Sequence, residues 1–172
     1  MPEKKQKITV MDYQRPELNF HPNFPSLRKQ DDKTQINVRY TLISPYSFVH
    51  IYWNPEISEV VYDVEEPFLN EVEQKIRKEI TEAMRQMINF NTIIEKNEED
   101  LLEYIDKMFK VIAIELGIDF PYETYKKIFY YLCRDFMGFD QTDPLFRDYF
   151  IEDIECNGLE TPIYIVHRVY RN

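Results

Sequence analysis

Apolar side chains recur along this chain with two different periods, and the change of period divides it. From Asn37 the pattern is β-branched and aromatic: Val38, Tyr40 and Leu42, then Phe48, Val49, Ile51, Tyr52 and Trp53, then Val60, Val61, Tyr62 and Val64. Ser44-Pro45-Tyr46 and Asn54-Pro55-Glu56 interrupt the runs, with proline where a strand must stop. Three strands in an antiparallel meander are predicted, their rings serving as core rather than as a ligand platform and Trp53 as a core or interface residue. The period then becomes helical. Leu69, Val72, Ile76, Ile80, Ala83, Met84 and Met87 fall at three- and four-residue steps, behind a capping box made by Asn70 and Glu73. Leu101, Leu102, Ile105, Met108, Phe109, Ile112 and Leu116 mark a second helix. Its first turn carries Glu98, Glu99 and Asp100, which suit the positive end of a helix dipole, and it stops at Gly117. A third runs from about Pro121 to Met137 with Tyr125, Ile128, Phe129, Leu132 and Phe136 on its buried face, and Gly138 ends it. Ile151 to Cys156 and Ile163 to Val169 read as two further strands around a turn containing Asn157-Gly158.

The class is therefore α+β: a small antiparallel β-meander plus a three-helix bundle over residues 36–138, then 139–172 as the beginning of a truncated α/β linking module. An isolated strand pair is marginal in water, which leads us to expect that the native chain continues past Asn172. Residues 1–35 show no period and hold Pro16, Pro22 and Pro25 close together, so a flexible arm is expected. Phe20, Phe24 and Leu27 break its polarity and are candidates for docking on a partner or on the body.

Composition narrows the function classes. With 172 residues, 44% of them apolar, the chain has material for one ordinary core and part of a second. Its formal charge is −10, yet residues 1–35 hold seven Lys and Arg against five Asp and Glu, so the acidity lies in the body. An acidic body argues against nucleic acid as a partner, because affinity for a phosphate backbone is built from clustered cations. Cys133 and Cys156 are too few for a disulfide framework and read as two buried free thiols. His21, His50 and His167 lack ligand spacing, so no metal is expected. No apolar run is long enough to span a bilayer, and a soluble, intracellular protein is expected.

Candidate chemistry is sparse. Lys126, Lys127 and Arg134 alternate with tyrosines, but helical spacing favours packing with snorkelling stems over base stacking. Asp153 and Glu155 share one face of a strand and could approach a hard cation, though charges on a strand edge also prevent mispairing. Arg134-Asp135 and Arg147-Asp148 flank the turn at Asp143-Pro144. Arginine bridges carboxylates in a fixed bidentate geometry, so these six residues are candidates for an inter-module hinge, with local ion pairs as the plainer reading of each arginine.

The order and spacing of Arg134-Asp135-Phe136, Asp143-Pro144-Leu145, Arg147-Asp148, Ile151-Glu152-Asp153-Ile154, Asn157-Gly158 and Tyr164-Ile165-Val166-His167-Arg168 resemble the N-terminal region of archaeal type II/type IV secretion-system motor ATPases. That family includes the archaellum and pilus-assembly motors. A weaker similarity reaches back to about Val38. The chain departs from the family pattern at Gly138-Phe139-Asp140-Gln141-Thr142, in place of a glycine-rich turn, and at Tyr149, in place of a common proline. The resemblance implies a hexameric parent whose C-terminal domain binds ATP and Mg. It implies as partners its own ATPase domain, neighbouring ring subunits, a membrane platform protein and cytoplasmic accessory proteins, and a cytoplasmic location peripheral to the membrane. Ile151, Glu152, Asp153, Ile154, Asn157, Gly158, His167 and Arg168 would belong to its linking module. The three glycines, Gly117, Gly138 and Gly158, give no G-x-x-x-x-G-K-[ST], so these residues cannot form a P-loop. We therefore expect a noncatalytic region with no cofactor of its own; the alternative is a stand-alone adaptor or regulatory protein that binds such a motor.

Overall fold

A computed structural model describes residues 9–87, 97–158 and 161–170. Residues 1–8 of the expected arm and residues 171–172 lie outside them. The fold is α+β, and the described residues form a three-stranded antiparallel sheet, four helices and a two-stranded sheet. No helix among the described residues is long and apolar enough to cross a membrane.

Two compact units form, and the chain passes between them three times. One unit takes the described residues of Met1–Glu17 with Phe68–Asp140, the other Leu18–Pro67 with those of Gln141–Asn172. This grouping differs from the sequence-based one. The meander shares a unit with the terminal strand pair, and the three long helices stand in the other.

In the helical unit, α1 (Glu71–Met87) begins at the expected capping box: the Asn70 N–H donates to Glu73 Oε2 and the Glu73 N–H to Asn70 Oδ1, both at 2.9 Å. α2 (Glu98–Glu115) is capped by Asn97, whose Oδ1 accepts the Asp100 N–H. Its end is a Schellman turn, in which the Ile118 N–H reaches the Ala113 carbonyl and the Gly117 N–H that of Ile114. Gly117 sits there at φ 65°, in the left-handed region where a Cβ is costly. α3 (Tyr122–Met137) is the most buried of the three long helices, almost without break from Thr124 to Arg134. The apolar stripe of α1 is partly displaced. Val72 is 65% exposed and the carboxylate-bearing Glu73 is buried, because the capping box turns Glu73 inward.

The sheet unit places β1 (Asn37–Ile43), β2 (Ser47–Asn54) and β3 (Glu59–Glu65) in simple sequential order. A short helix, α4 (Asp143–Arg147), with proline in its first turn, leads into the hairpin of β4 (Ile151–Cys156) and β5 (Ile163–His167). Ile36, Tyr40, Leu42, Val49, Ile51, Phe150 and Tyr170 form one apolar core, so the hairpin end and the meander share it. That supplies the packing a lone strand pair lacks. β5 stops two residues earlier than its pattern predicts, because the chain turns at His167.

Several described residues of the expected flexible arm pack on the rest of the chain. Val10 is buried, the Tyr13 hydroxyl donates to the Phe120 carbonyl at 2.8 Å, and Arg15 pairs with Glu99, all within the helical unit. In the sheet unit, Asn19 and Ser44 exchange backbone bonds at 3.0 Å, and Phe20 is buried under the Arg147 guanidinium, 4.4 Å from its ring centre. Phe24 meets the rings of Tyr40, Tyr149 and Phe150, and Leu27 packs on the same core. Of the two docking options for Phe20, Phe24 and Leu27, the body is the one seen.

Candidate functional site

The most closely connected polar group in the sheet unit centres on Asp148, which has 5% of its surface exposed. Its Oδ2 accepts the hydroxyls of Tyr40 at 2.5 Å and Tyr62 at 2.7 Å, and Oδ1 accepts the Phe150 N–H at 2.8 Å. Alternation puts Tyr40 and Tyr62 on one face of the meander, and the turn after α4 brings Asp148 beneath them. His167, at the end of β5, completes the group. Its Nδ1 accepts the Val169 N–H at 3.3 Å and the Tyr170 N–H at 3.2 Å, which leaves the proton on Nε2 to donate to the Tyr40 oxygen at 3.2 Å. The order of donation is thus His167 to Tyr40 to Asp148.

Electrostatics fix these proton positions. Burial, reinforced by the neighbouring Asp148 charge, pushes the Tyr40 and Tyr62 phenols far above their usual range, so both remain donors. Burial depresses the His167 imidazole, outweighing the pull of Asp148 in the other direction. Chemically the cluster holds protons rather than moving them. It ties two meander strands to the α4–β4 turn and to β5 with hydrogen bonds of which three end on a charged acceptor.

The hinge candidates separate by unit. Arg134 and Asp135 belong to the helical unit, where Asp135 accepts Arg134 Nε at 2.9 Å and Arg77 at 2.7 Å. The Tyr131 ring lies 4.2 Å from the Arg77 guanidinium and 4.9 Å from that of Arg134. Asp143, Pro144, Arg147 and Asp148 belong to the sheet unit, where Arg147 pairs with Asp143 one helical turn away at 2.5 Å. One of the three chain crossings, between Asp140 and Gln141, falls inside the stretch.

The linking-module residues divide as well. Ile151 pairs with His167 and Ile154 with Ile165, with a bulge between Ile151 and Asp153 that contains Glu152. Arg168 reaches Glu152 at 3.3 Å and covers the Tyr149 ring at 4.5 Å. Asp153 is exposed and accepts its neighbour's N–H, that of Ile154. Asn157 and Gly158 form the exposed start of the hairpin turn, with Gly158 at φ 128°. Cys156 corrects the expectation of two buried thiols: it stands exposed at the mouth of this turn, whereas Cys133 is buried, its thiol pushed well up by burial.

Sequence reasoning missed the buried pairing of two carboxylates of the helical unit, Asp106 and Glu73, the second of which it placed in the capping box alone. Glu73 accepts Lys127 at 3.0 Å and the Thr124 hydroxyl at 2.9 Å; burial would raise its carboxyl, but the Asn70 N–H, Lys127 and Thr124 together bring it below the usual value. Asp106 accepts the Tyr125 hydroxyl and, at 2.7 Å, Lys110. Phe109 stacks on Tyr125 at 4.9 Å. An acid inside an apolar stripe with a base one turn on, as in Asp106 and Lys110, was the signal available.

The chain matches no known protein-family model. It is 29% identical over 111 residues to the uncharacterized protein MJ1288 of Methanocaldococcus jannaschii, a match covering 64% of this chain and 44% of that protein. The match thus spans less than half the length of this relative.

Proposed function

We propose that this chain is a noncatalytic N-terminal region of a hexameric archaeal secretion, pilus or archaellum motor, coupling ATP-driven ring movement to platform and accessory proteins. The observation that carries the reading is the ordered series of motifs from Arg134 to Arg168. Support also comes from what those residues do: Asp148 and His167 join a buried cluster that braces the sheet unit. Work in such a region is mechanical and recruiting. ATP and Mg belong to the parent's ATPase domain, and the cytoplasmic, membrane-peripheral location follows from the same resemblance.

A stand-alone adaptor is the second reading, and one observation favours it. The 111 matched residues are 44% of the archaeal relative, which makes that protein about 250 residues long. The remainder has room for one further domain of ordinary size and falls short of the several hundred residues a motor continuation implies. Two experiments test the motor reading. The native reading frame past Asn172 is expected to run on through G-x-x-x-x-G-K-[ST]; a stop codon there gives the adaptor the stronger claim. The purified chain is expected to hydrolyse no ATP, and turnover that follows it through purification would contradict a noncatalytic role.

A further inference from the structure

Four consecutive residues of β3, Glu59 to Tyr62, and four of β5, Ile163 to Val166, line one groove of about 760 Å3 in the sheet unit, together with Trp53 and Ile57. A sheet face contributes alternate residues, because successive side chains point to opposite sides. Two runs of consecutive residues mark strand edges instead. Both strands have an open side: among the described residues β3 pairs with β2 alone, and β5 with β4 alone. Each therefore carries a row of backbone N–H and C=O groups with no strand partner. The walls are apolar and open, with Ile57 57%, Ile163 45% and Tyr164 52% exposed.

Charge decides the occupant. Glu59 and Glu155 line the groove, and Asp63 follows on β3. None of these three carboxylates has an ion-pair partner among the described residues. The cation in the lining, Lys33, does not balance them. Edge carboxylates repel an acidic strand and would be left unpaired beside a neutral one, whereas a strand bearing lysine or arginine neutralises them.

We propose that this slot binds an extended, basic segment of a partner protein, which adds a strand along β3, β5 or both and seats its apolar side chains against Trp53 and Tyr164. Main-chain bonds supply the affinity and the carboxylates the selectivity. A second copy of the chain is disfavoured, since pairing β3 with its own copy would set Glu59, Asp63 and Glu65 among like charges. The proposal rests on the groove and stands apart from the motor reading, whose tests concern the reading frame and ATP turnover.

Trp53 is the sole tryptophan and lines the slot, so its emission reports occupancy. The probes are blocked peptides of about ten residues: one alternating valine with lysine, one valine with glutamate, and a proline-interrupted copy of the first. The lysine peptide is expected to shift Trp53 emission saturably and to weaken with added salt, whereas the other two leave it unchanged. Glu59→Lys combined with Glu155→Lys is expected to weaken the lysine peptide at least about tenfold and to admit the glutamate peptide. Both positions are exposed, and circular dichroism checks the fold; should that variant misfold, the salt dependence of the unaltered chain decides. No saturable shift, equal response to both charges, or a dimer in sedimentation that loses the slot would overturn the proposal.

Discussion

Both units bury carboxylates against cations, Asp143 with Arg147 in the sheet unit among them, but the sheet unit also holds one that meets no cation. In the helical unit Glu73, Asp106 and Asp135 each meet a cation: Lys127, Lys110, and Arg77 with Arg134. In the sheet unit Asp148 is met by two phenols and a backbone N–H, with a neutral imidazole behind one of the phenols. The first arrangement balances charge pair by pair, each acid against one or two cations. The second concentrates several donors on a single acceptor. Removing that acceptor strands all of them at once, so a single substitution at Asp148 should weaken the whole sheet unit.

The largest expected effect is therefore Asp148→Leu. Tyr40, Tyr62 and the Phe150 N–H all lose their acceptor, and a loss of about 3–5 kcal/mol is expected in urea unfolding followed by Trp53 emission. Asp148→Asn, which retains an acceptor, should cost clearly less. Phe24→Ala comes next, at about 1–2 kcal/mol by the same measurement, since the ring packs between Tyr40, Tyr149 and Phe150 while remaining half-buried. No change would mean that the segment does not dock in solution.

Acidification sharpens the contrast. The native His167 binds its proton less readily than the unfolded chain does, because burial holds it below the ordinary value of 6.5. Its contribution is complete above 6.5 and disappears as pH falls through the depressed native value. Loss of Val169 and Tyr170 amide dispersion should accompany that fall, and His167→Gln should flatten it. Glu73 contributes in a lower window, above its unfolded value of 4.5, and its share is lost as pH falls through its lowered native value. The smallest effect, about 1 kcal/mol, is expected for Glu73→Gln, read by helical ellipticity on heating.

What was legible in the sequence was local. The Asn70–Glu73 box, the stop at Gly117 and the prolines between β1, β2 and β3 each act within a few residues, and each stands where its pattern put it. What was not legible depended on distance along the chain. Tyr40 and Asp148 are 108 residues apart and Tyr62 and Asp148 are 86 apart, and no periodicity encodes such a meeting. The same holds for Tyr13 against Phe120, 107 residues away, which is why polar composition with clustered prolines suggested a loose arm. Asp148 and His167 were singled out as motif residues, but only the folded chain shows them in one cluster.

Hydrogen exchange on the unaltered chain and on Asp148→Leu tests most directly whether the two units hold separate cores. Protection should fall across β1 to β5 in the variant while α1, α2 and α3 keep theirs. Equal loss of protection in the three helices would contradict the account.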